Sequence, residues 1–124
     1  MGYLNKWQVV VVAATVFFLM PPVLAHHSEA GFDTDKVVAF VGTVVEYSWR
    51  NPHVYIDVEN IDSLNGRTVW EIETGATPIM RRSGWAPESL VAGDVVFIRA
   101  HPERDTKRNY ALLISLEKEN GDTL

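Results

Sequence analysis

Hydrophobic and polar residues alternate in four segments of this chain, which is the pattern of β-strands that bury one face, and a long β-branched run before them predicts a fifth strand. We place strands at residues 37–49, 53–59, 68–74, 95–100 and 110–116. The first is long and β-branched, and Gly42 near its middle predicts a bulge or sharp bend where the sheet closes into a barrel. Asn65-Gly66, between the second and third strands, is a strong hairpin signal.

The alternation also assigns the two faces of the second and third strands. The predicted core face carries Val54, Ile56, Val58, Trp70 and Ile72. The predicted outward face carries His53, Tyr55, Asp57, Glu71 and Glu73. We therefore expect a half-buried sheet whose polar side faces solvent.

A short helix is predicted between the third and fourth strands. Thr77 is its expected N-cap and Pro78 its first residue, because the fixed backbone angle of proline suits that position. Gly84 is the expected left-handed stop, after which Trp85 folds back onto the core.

The order β-β-β-α-β-β predicts the fold class. It is mainly β, a five-stranded OB-like barrel with one short helix, which we place over residues 37–117. Residues 26–36 form a lead-in and residues 118–124 a polar tail. An open α+β meander with one short helix is the alternative.

The first 25 residues have the features of a secretory signal peptide. Lys6 precedes an apolar run over residues 9–20, and Val23-Leu24-Ala25 places small residues at the −3 and −1 positions of a cleavage site. An uncleaved anchor is the alternative, but a spanning helix needs about 20 residues. The sequence predicts a periplasmic or secreted protein that has no stable membrane span after cleavage.

Composition narrows the kinds of partner. The chain of 124 residues has no cysteine, which excludes disulfides and thiolate metal sites, and its net charge is −5. Removal of the leader takes away Lys6 and makes the mature protein more acidic still. Because a nucleic-acid surface needs excess Lys and Arg, we expect a protein, a metal or a small ligand as partner, and no nucleic acid.

The four histidines are candidate metal ligands. They are His26, His27, His53 and His101. Cleavage after Ala25 would leave His26 first, so that its α-amine and Nδ1 chelate one ion, and His53 would add a third nitrogen. Three nitrogens suit Cu(II), with His27 or His101 as auxiliary ligands. The alternative is structural: His53 fixes the turn after Pro52, and the other histidines are ordinary polar residues.

A metal-free binding module is the rival hypothesis, with a partner protein or small ligand on the outer face of strands two and three. The candidate contacts are Trp49, Asn51, Tyr55, Asp57, Arg81 and Trp85. Exposed aromatic rings beside polar groups suit such ligands. The alternatives are a solvated sheet face and, for Arg81, a favourable interaction with the helix C-terminus.

No catalytic residues are predicted, and we do not expect an enzyme. Glu71 with Glu73, and Glu46 with Asp57, are carboxylate pairs, but alternating outward charges are typical of soluble sheet faces. The serines lack the sequence context of a nucleophile elbow.

Several segments carry a family resemblance. They are His26-His27-Ser28, Phe32-Asp33, Gly42-Thr43-Val44, Trp49-Arg50-Asn51-Pro52-His53, Glu73-Thr74-Gly75, Arg81-Arg82-Ser83-Gly84-Trp85, Ser89-Leu90 and Gly93-Asp94-Val95-Val96. Together they resemble a family of small exported bacterial proteins known as domain of unknown function 6152. Ser83 departs from the family pattern, in which Gly often follows the Arg pair directly. The resemblance implies export and a single domain, and no established activity.

Overall fold

Five strands and one short helix make up the barrel in residues 29–105 and 107–124, which are the residues that the computed structural model describes. The elements are β1 (Val38–Ser48), β2 (Tyr55–Asp62), β3 (Gly66–Glu73), α1 (Thr77–Arg82), β4 (Val95–Pro102) and β5 (Tyr110–Lys118), with a 3-10 turn at Glu29–Gly31 before them. The predicted element order is confirmed. The predicted signal peptide and its cleavage site lie outside the described residues.

The strands close into a barrel in the order β1-β2-β3-β5-β4. β1 pairs with both β2 and β4, because its two halves take different neighbours. The ring is completed by a parallel pairing of Glu71–Glu73 with Tyr110–Leu112. This closure confirms the OB-like barrel, and not the open meander, and it removes exposed strand edges.

The interior is filled by inward-facing side chains from all five strands. The largest fully buried ones are Val44, Val54, Val58, Val96, Ile56, Ile72, Ile98 and Leu116. Each such aliphatic side chain contributes about 1.5–3 kcal/mol of burial free energy. Met80, Trp85 and Leu90 from α1 and the segment after it are buried in the same core and close one end of the barrel.

Gly42 serves a different purpose from the predicted one. The irregularity of β1 lies between Val44 and Glu46, beyond the glycine. A Cβ atom on Gly42 would lie 2.5 Å from Val58 Cγ1 and 2.6 Å from the Glu59 carbonyl oxygen. The close approach of β2 therefore requires a glycine at position 42. The bulge itself forms three residues later.

The start of α1 also differs from the prediction. Ala76 is the N-cap and Thr77 the first helical residue. The Thr77 backbone N–H and hydroxyl lie 3.1 and 3.0 Å from Asn51 Oδ1. The side chain of Thr77 thus joins the helix to the β1–β2 turn and does not cap the helix. The predicted stop at Gly84 is confirmed by its positive φ of 90°. No helix in the described part of the chain has the length and hydrophobicity to cross a membrane.

The segment predicted as a polar tail folds back on the barrel. Leu116 and Leu124 exchange backbone hydrogen bonds of 3.2 and 2.8 Å. The Leu124 side chain packs against the core. The last described residues therefore extend the sheet beside β5.

Candidate functional site

The candidate site lies where the β1–β2 turn, the end of β3 and the start of β5 meet. His53 lies two residues before the start of β2, Glu73 ends β3, and Tyr110 begins β5. Tyr55, Glu73, Leu112 and His101 form one row of register partners across β2, β3, β5 and β4. Because register partners share a face, these four side chains belong to the outer surface of the barrel.

Glu73 is buried, although the alternation predicted an exposed outward carboxylate. Only 6% of the residue is exposed. The Tyr110 hydroxyl donates a hydrogen bond to Glu73 Oε2, and the Phe32 ring packs on the Tyr110 ring with centroids 5.4 Å apart. The face assignment is right, but this end of the face is covered by side chains from the lead-in and from β5.

The second oxygen of Glu73 holds His53. Glu73 Oε1 lies 3.2 Å from His53 Nδ1, and the Thr74 carbonyl oxygen lies 3.1 Å from the same nitrogen. A carbonyl oxygen can only accept, so Nδ1 carries the proton and the neutral ring keeps a lone pair on Nε2. The side chain remains 28% exposed, which leaves the ring reachable by a ligand.

The Tyr110 hydroxyl stays a hydrogen-bond donor in this arrangement. The pKa of its phenol is raised well above the usual value, mainly by burial and secondly by the hydrogen bond to Glu73. The hydroxyl therefore stays protonated over the physiological range. Tyr110, Glu73 and His53 form a polar chain in which each member fixes the orientation of the next.

A groove of about 640 Å³ runs beside His53 and Glu73. Met80, Trp85 and Leu112 line its apolar side, and Glu29 lies on its rim. Backbone hydrogen bonds fasten the lead-in here, from Asp33 N–H to the Pro102 carbonyl (2.8 Å) and from Arg104 N–H to the Gly31 carbonyl (2.9 Å). The lead-in is thus held against the end of β4, and Glu29 lines the same groove as His53.

His53 and His101, the two predicted ligands within the described residues, do not converge on one point. His101 Nδ1 lies 2.7 Å from the Lys36 carbonyl oxygen, so this ring too presents Nε2. Leu112 separates His101 from Glu73 in the row, a distance of two strand spacings, or roughly 10 Å. Within residues 29–105 and 107–124, no group of three His, Cys, Asp or Glu side chains could hold a metal ion. His26 and His27 lie outside the described residues.

Four of the predicted ligand contacts hold the β1–β2 turn against α1. Asn51 accepts the two hydrogen bonds from Thr77. The Arg81 guanidinium lies 5.4 Å from the centroid of the Trp49 ring, and Trp85 is only 5% exposed. These contacts give Trp49, Asn51, Arg81 and Trp85 packing roles on a different part of the surface from the outer face of β2 and β3.

Tyr55 and Asp57 do lie on that outer face, in a small cleft of about 170 Å³. The Arg50 guanidinium sits 5.1 Å from the centroid of the Tyr55 ring. Partial burial, then repulsion from Glu46, raises the pKa of Asp57, and Arg50 offsets part of this effect. The negative charge of the carboxylates in the cleft therefore exceeds the positive charge of its one guanidinium.

Sequence reasoning missed three residues of the candidate site, namely Phe32, Glu73 and Tyr110. The predicted outward face did place His53 and Glu73 on neighbouring strands, which was the one available signal. Nothing in the local pattern brings Phe32 and Tyr110, 78 positions apart, over the same carboxylate.

Comparison with known proteins gives one match. The model of a family of unknown function, DUF6152, matches residues 14–111. No curated protein and no solved structure matches the chain. The match extends from the predicted leader to the second residue of β5, and it includes His26, His53 and Glu73.

Proposed function

The chain belongs to this family of unknown function, and we propose that its mature form is an exported Cu(II)-binding protein. The site would combine the α-amine and imidazole of a processed N-terminal His26 with Nε2 of His53. The observation that carries the proposal is the fixed His53 ring, whose Nδ1 is bound to Glu73 and Thr74.

The surroundings of His53 are those of a metal-binding imidazole. Histidine ligands in proteins usually donate the other ring N–H to a carboxylate or a backbone carbonyl, which fixes the tautomer and makes the ligating nitrogen more basic. His53 has both kinds of acceptor within 3.2 Å. A purely structural histidine at the turn would not need a buried carboxylate that is itself held by Tyr110.

Chain geometry supports a contribution from residue 26. Glu29 lines the groove that also contains His53 and Glu73. Glu29 is three positions after His26, and an extended chain spans at most about 3.6 Å per residue, or roughly 11 Å for the three steps. A chain that begins at His26 therefore has its amine within reach of the groove.

The donor set favours copper over other common divalent ions. The chain contains no cysteine, so soft thiolate sites are excluded. An amine and two imidazoles supply three nitrogens, and Cu(II) stands at the top of the divalent affinity order for such ligands. His27 would be an auxiliary donor.

Export is part of the proposal. Only cleavage after Ala25 would give His26 a free amine, so the precursor would lack one of the three nitrogens. The protein would then acquire copper in the periplasm or outside the cell.

Copper titration of the secreted protein tests the proposal. Mass spectrometry should give His26 as the first residue, and electron paramagnetic resonance should show one nitrogen-rich Cu(II) site. An Ala-Pro-Pro extension before His26 takes the free amine away from that residue, and its prolines lack the backbone N–H groups that could form another amine–amide–imidazole site. For this extended protein, and for His53→Ala, we expect a loss of affinity of at least about 100-fold, or 2.7 kcal/mol.

His101→Ala is the matched control, because it also removes one exposed imidazole, but one that lies across Leu112. Its effect should stay below about tenfold. A different first residue would contradict the proposal. Equal binding by the native, extended and His53→Ala proteins would also contradict it.

The cleft at Tyr55 and Asp57 favours a second candidate function, a metal-free module that binds a partner protein or small ligand on the outer face of β2 and β3. Its excess of carboxylates suits a cationic group, which would compete with Arg50 for the Tyr55 ring. Under this hypothesis Tyr55→Ala abolishes partner capture from periplasmic extract, while His26→Ala has no effect. The reverse result would favour the copper site.

A further inference from the structure

A second groove, of about 550 Å³, opens at the hairpin end of β2 and β3. This is the opposite end of β3 from the one that α1 follows. Mouths of β-barrels are common ligand sites, and the volume lies within the range of small-molecule pockets. No residue of the proposed copper site lines this groove.

Two aromatic rings form the base of the groove. Phe40 and Trp70 lie with ring centroids 5.5 Å apart and planes inclined by 30°. Both are half-buried and pack against the core, and both line the groove. Their positions in the barrel wall hold the rings in place, so binding would need little ordering of side chains.

Uncharged polar side chains surround the rings. Asn60, Thr68 and Asn109 line the groove with Asn65 from the hairpin. Asn60 Nδ2 donates to the Val41 carbonyl (2.8 Å), and Asn65 Nδ2 donates to Asp62 Oδ2 (2.6 Å). These bonds fix the two amides and leave each Oδ1 as an acceptor, while the Thr68 hydroxyl can donate or accept.

Charge decides which ligand suits the groove. Among the described residues that line the groove, Asp62 is the one charged side chain, and neither Lys nor Arg is present. A phosphate or carboxylate would meet a negative charge and no cation. Hydroxyl groups suit the amides, and the C–H faces of a sugar ring suit an aromatic surface. We infer that this mouth binds an uncharged saccharide.

Nuclear magnetic resonance tests the inference on the copper-free protein, with maltotriose and the trimer of N-acetylglucosamine as probes. At least one probe should shift the Trp70 indole N–H signal saturably, with a Kd in the range of about 1 mM. The indole signals of Trp49 and Trp85 should stay in place. Trp70→Phe identifies the Trp70 signal without removing the aromatic ring.

If Trp70 is needed for folding, two variants at positions other than Phe40 and Trp70 test the inference. Asn109→Ala and Thr68→Val should each weaken binding by about fivefold, the loss expected for one hydrogen bond. Asn120→Ala is the control, because it removes an amide from a turn away from the groove. No saturable shift at about 10 mM probe would overturn the inference. Equal binding by all variants, or tighter binding of glucose 6-phosphate, would also overturn it.

Discussion

At one end of the barrel, α1 and the chain that follows it fill the interior with buried side chains, whereas at the other end the half-exposed Phe40 and Trp70 rings cover it. Trp85 is 5% exposed and lies 6.4 Å from the Tyr47 ring. The Phe40–Trp70 pair faces an open groove. The first end adds to stability, and the second leaves aromatic surface free for contact.

The polar groups at the two ends differ in the same way. Near α1, Tyr110, Glu73 and His53 bond to one another, and the lone pair on His53 Nε2 is left over. Around the open mouth, several amides and a hydroxyl are spread over the rim. The first end therefore suits a ligand that forms one strong directed bond, such as a metal ion. The second end suits a ligand that forms several weak hydrogen bonds.

Truncation of one aromatic residue at each end gives the largest expected effect. Trp85→Ala removes a buried ring and should lower the free energy of unfolding by about 3–5 kcal/mol. Phe40→Ala removes a half-exposed ring and should cost about 1–2 kcal/mol. Urea denaturation measures both. Equal losses would show that the two ends contribute alike to stability.

Neutralisation of Glu73 is expected to have an intermediate effect. In Glu73→Gln, one carboxylate oxygen becomes an NH2 group, which cannot accept a hydrogen bond and lies against the donor of either Tyr110 or His53, at a cost of about 1–3 kcal/mol. Copper affinity should fall by about 10–100-fold, as for other groups that orient a ligand.

Glu71→Gln is the matched control for this prediction, because Glu71 lies two residues away on the same face and is exposed. Its stability should stay within about 0.5 kcal/mol of the native protein. If the two variants behave alike in stability and copper binding, Glu73 has no special role.

The smallest effect concerns alkaline pH. In the folded protein, burial and, to a smaller extent, the hydrogen bond to Glu73 raise the pKa of Tyr110. In the unfolded chain this pKa is about 10. Above pH 10 the unfolded state therefore binds fewer protons, and stability falls as pH rises, by at most about 1.4 kcal/mol per unit for this group.

Tyr110→Phe should remove this part of the slope between pH 9 and 11, measured by urea denaturation at each pH. Tyr47→Phe, at the same end of the barrel, is the comparison. Tyr47 donates to the Ala86 carbonyl (3.0 Å), and burial also raises its pKa. An unchanged slope in Tyr110→Phe would contradict the assignment.

The barrel was predictable from the sequence because strand alternation reports directly which residues face the core. Val54, Ile56, Val58 and Ile72 are buried as expected. The same alternation placed Glu73 on the correct face and still gave the wrong exposure, since burial there depends on a ring from β5 and on the lead-in. Periodicity describes one strand, and it carries no information about side chains that cover its end.

The candidate sites were less predictable for a related reason. His53 was identified from its residue type, but its fixed tautomer depends on Glu73 and on the Thr74 carbonyl, 20 and 21 positions away. Asn51 was expected to contact a ligand, and nothing in the sequence indicated its hydrogen bond with Thr77. Phe40 and Trp70 are typical core residues by pattern, and only barrel closure brings them together at a mouth.

The parallel pairing of β3 with β5 has a mechanical consequence. The two strands pair only through Glu71–Glu73 and Tyr110–Leu112, and we call this short pairing the seam. By contrast, β2 and β3 pair along their whole length. The shortest join of a sheet is where transient opening begins most easily. Glu73 belongs to this seam, so any ion that immobilises His53 also holds the seam shut. Under the proposed function, transient opening of the barrel and metal occupancy of His53 would therefore be coupled through one carboxylate.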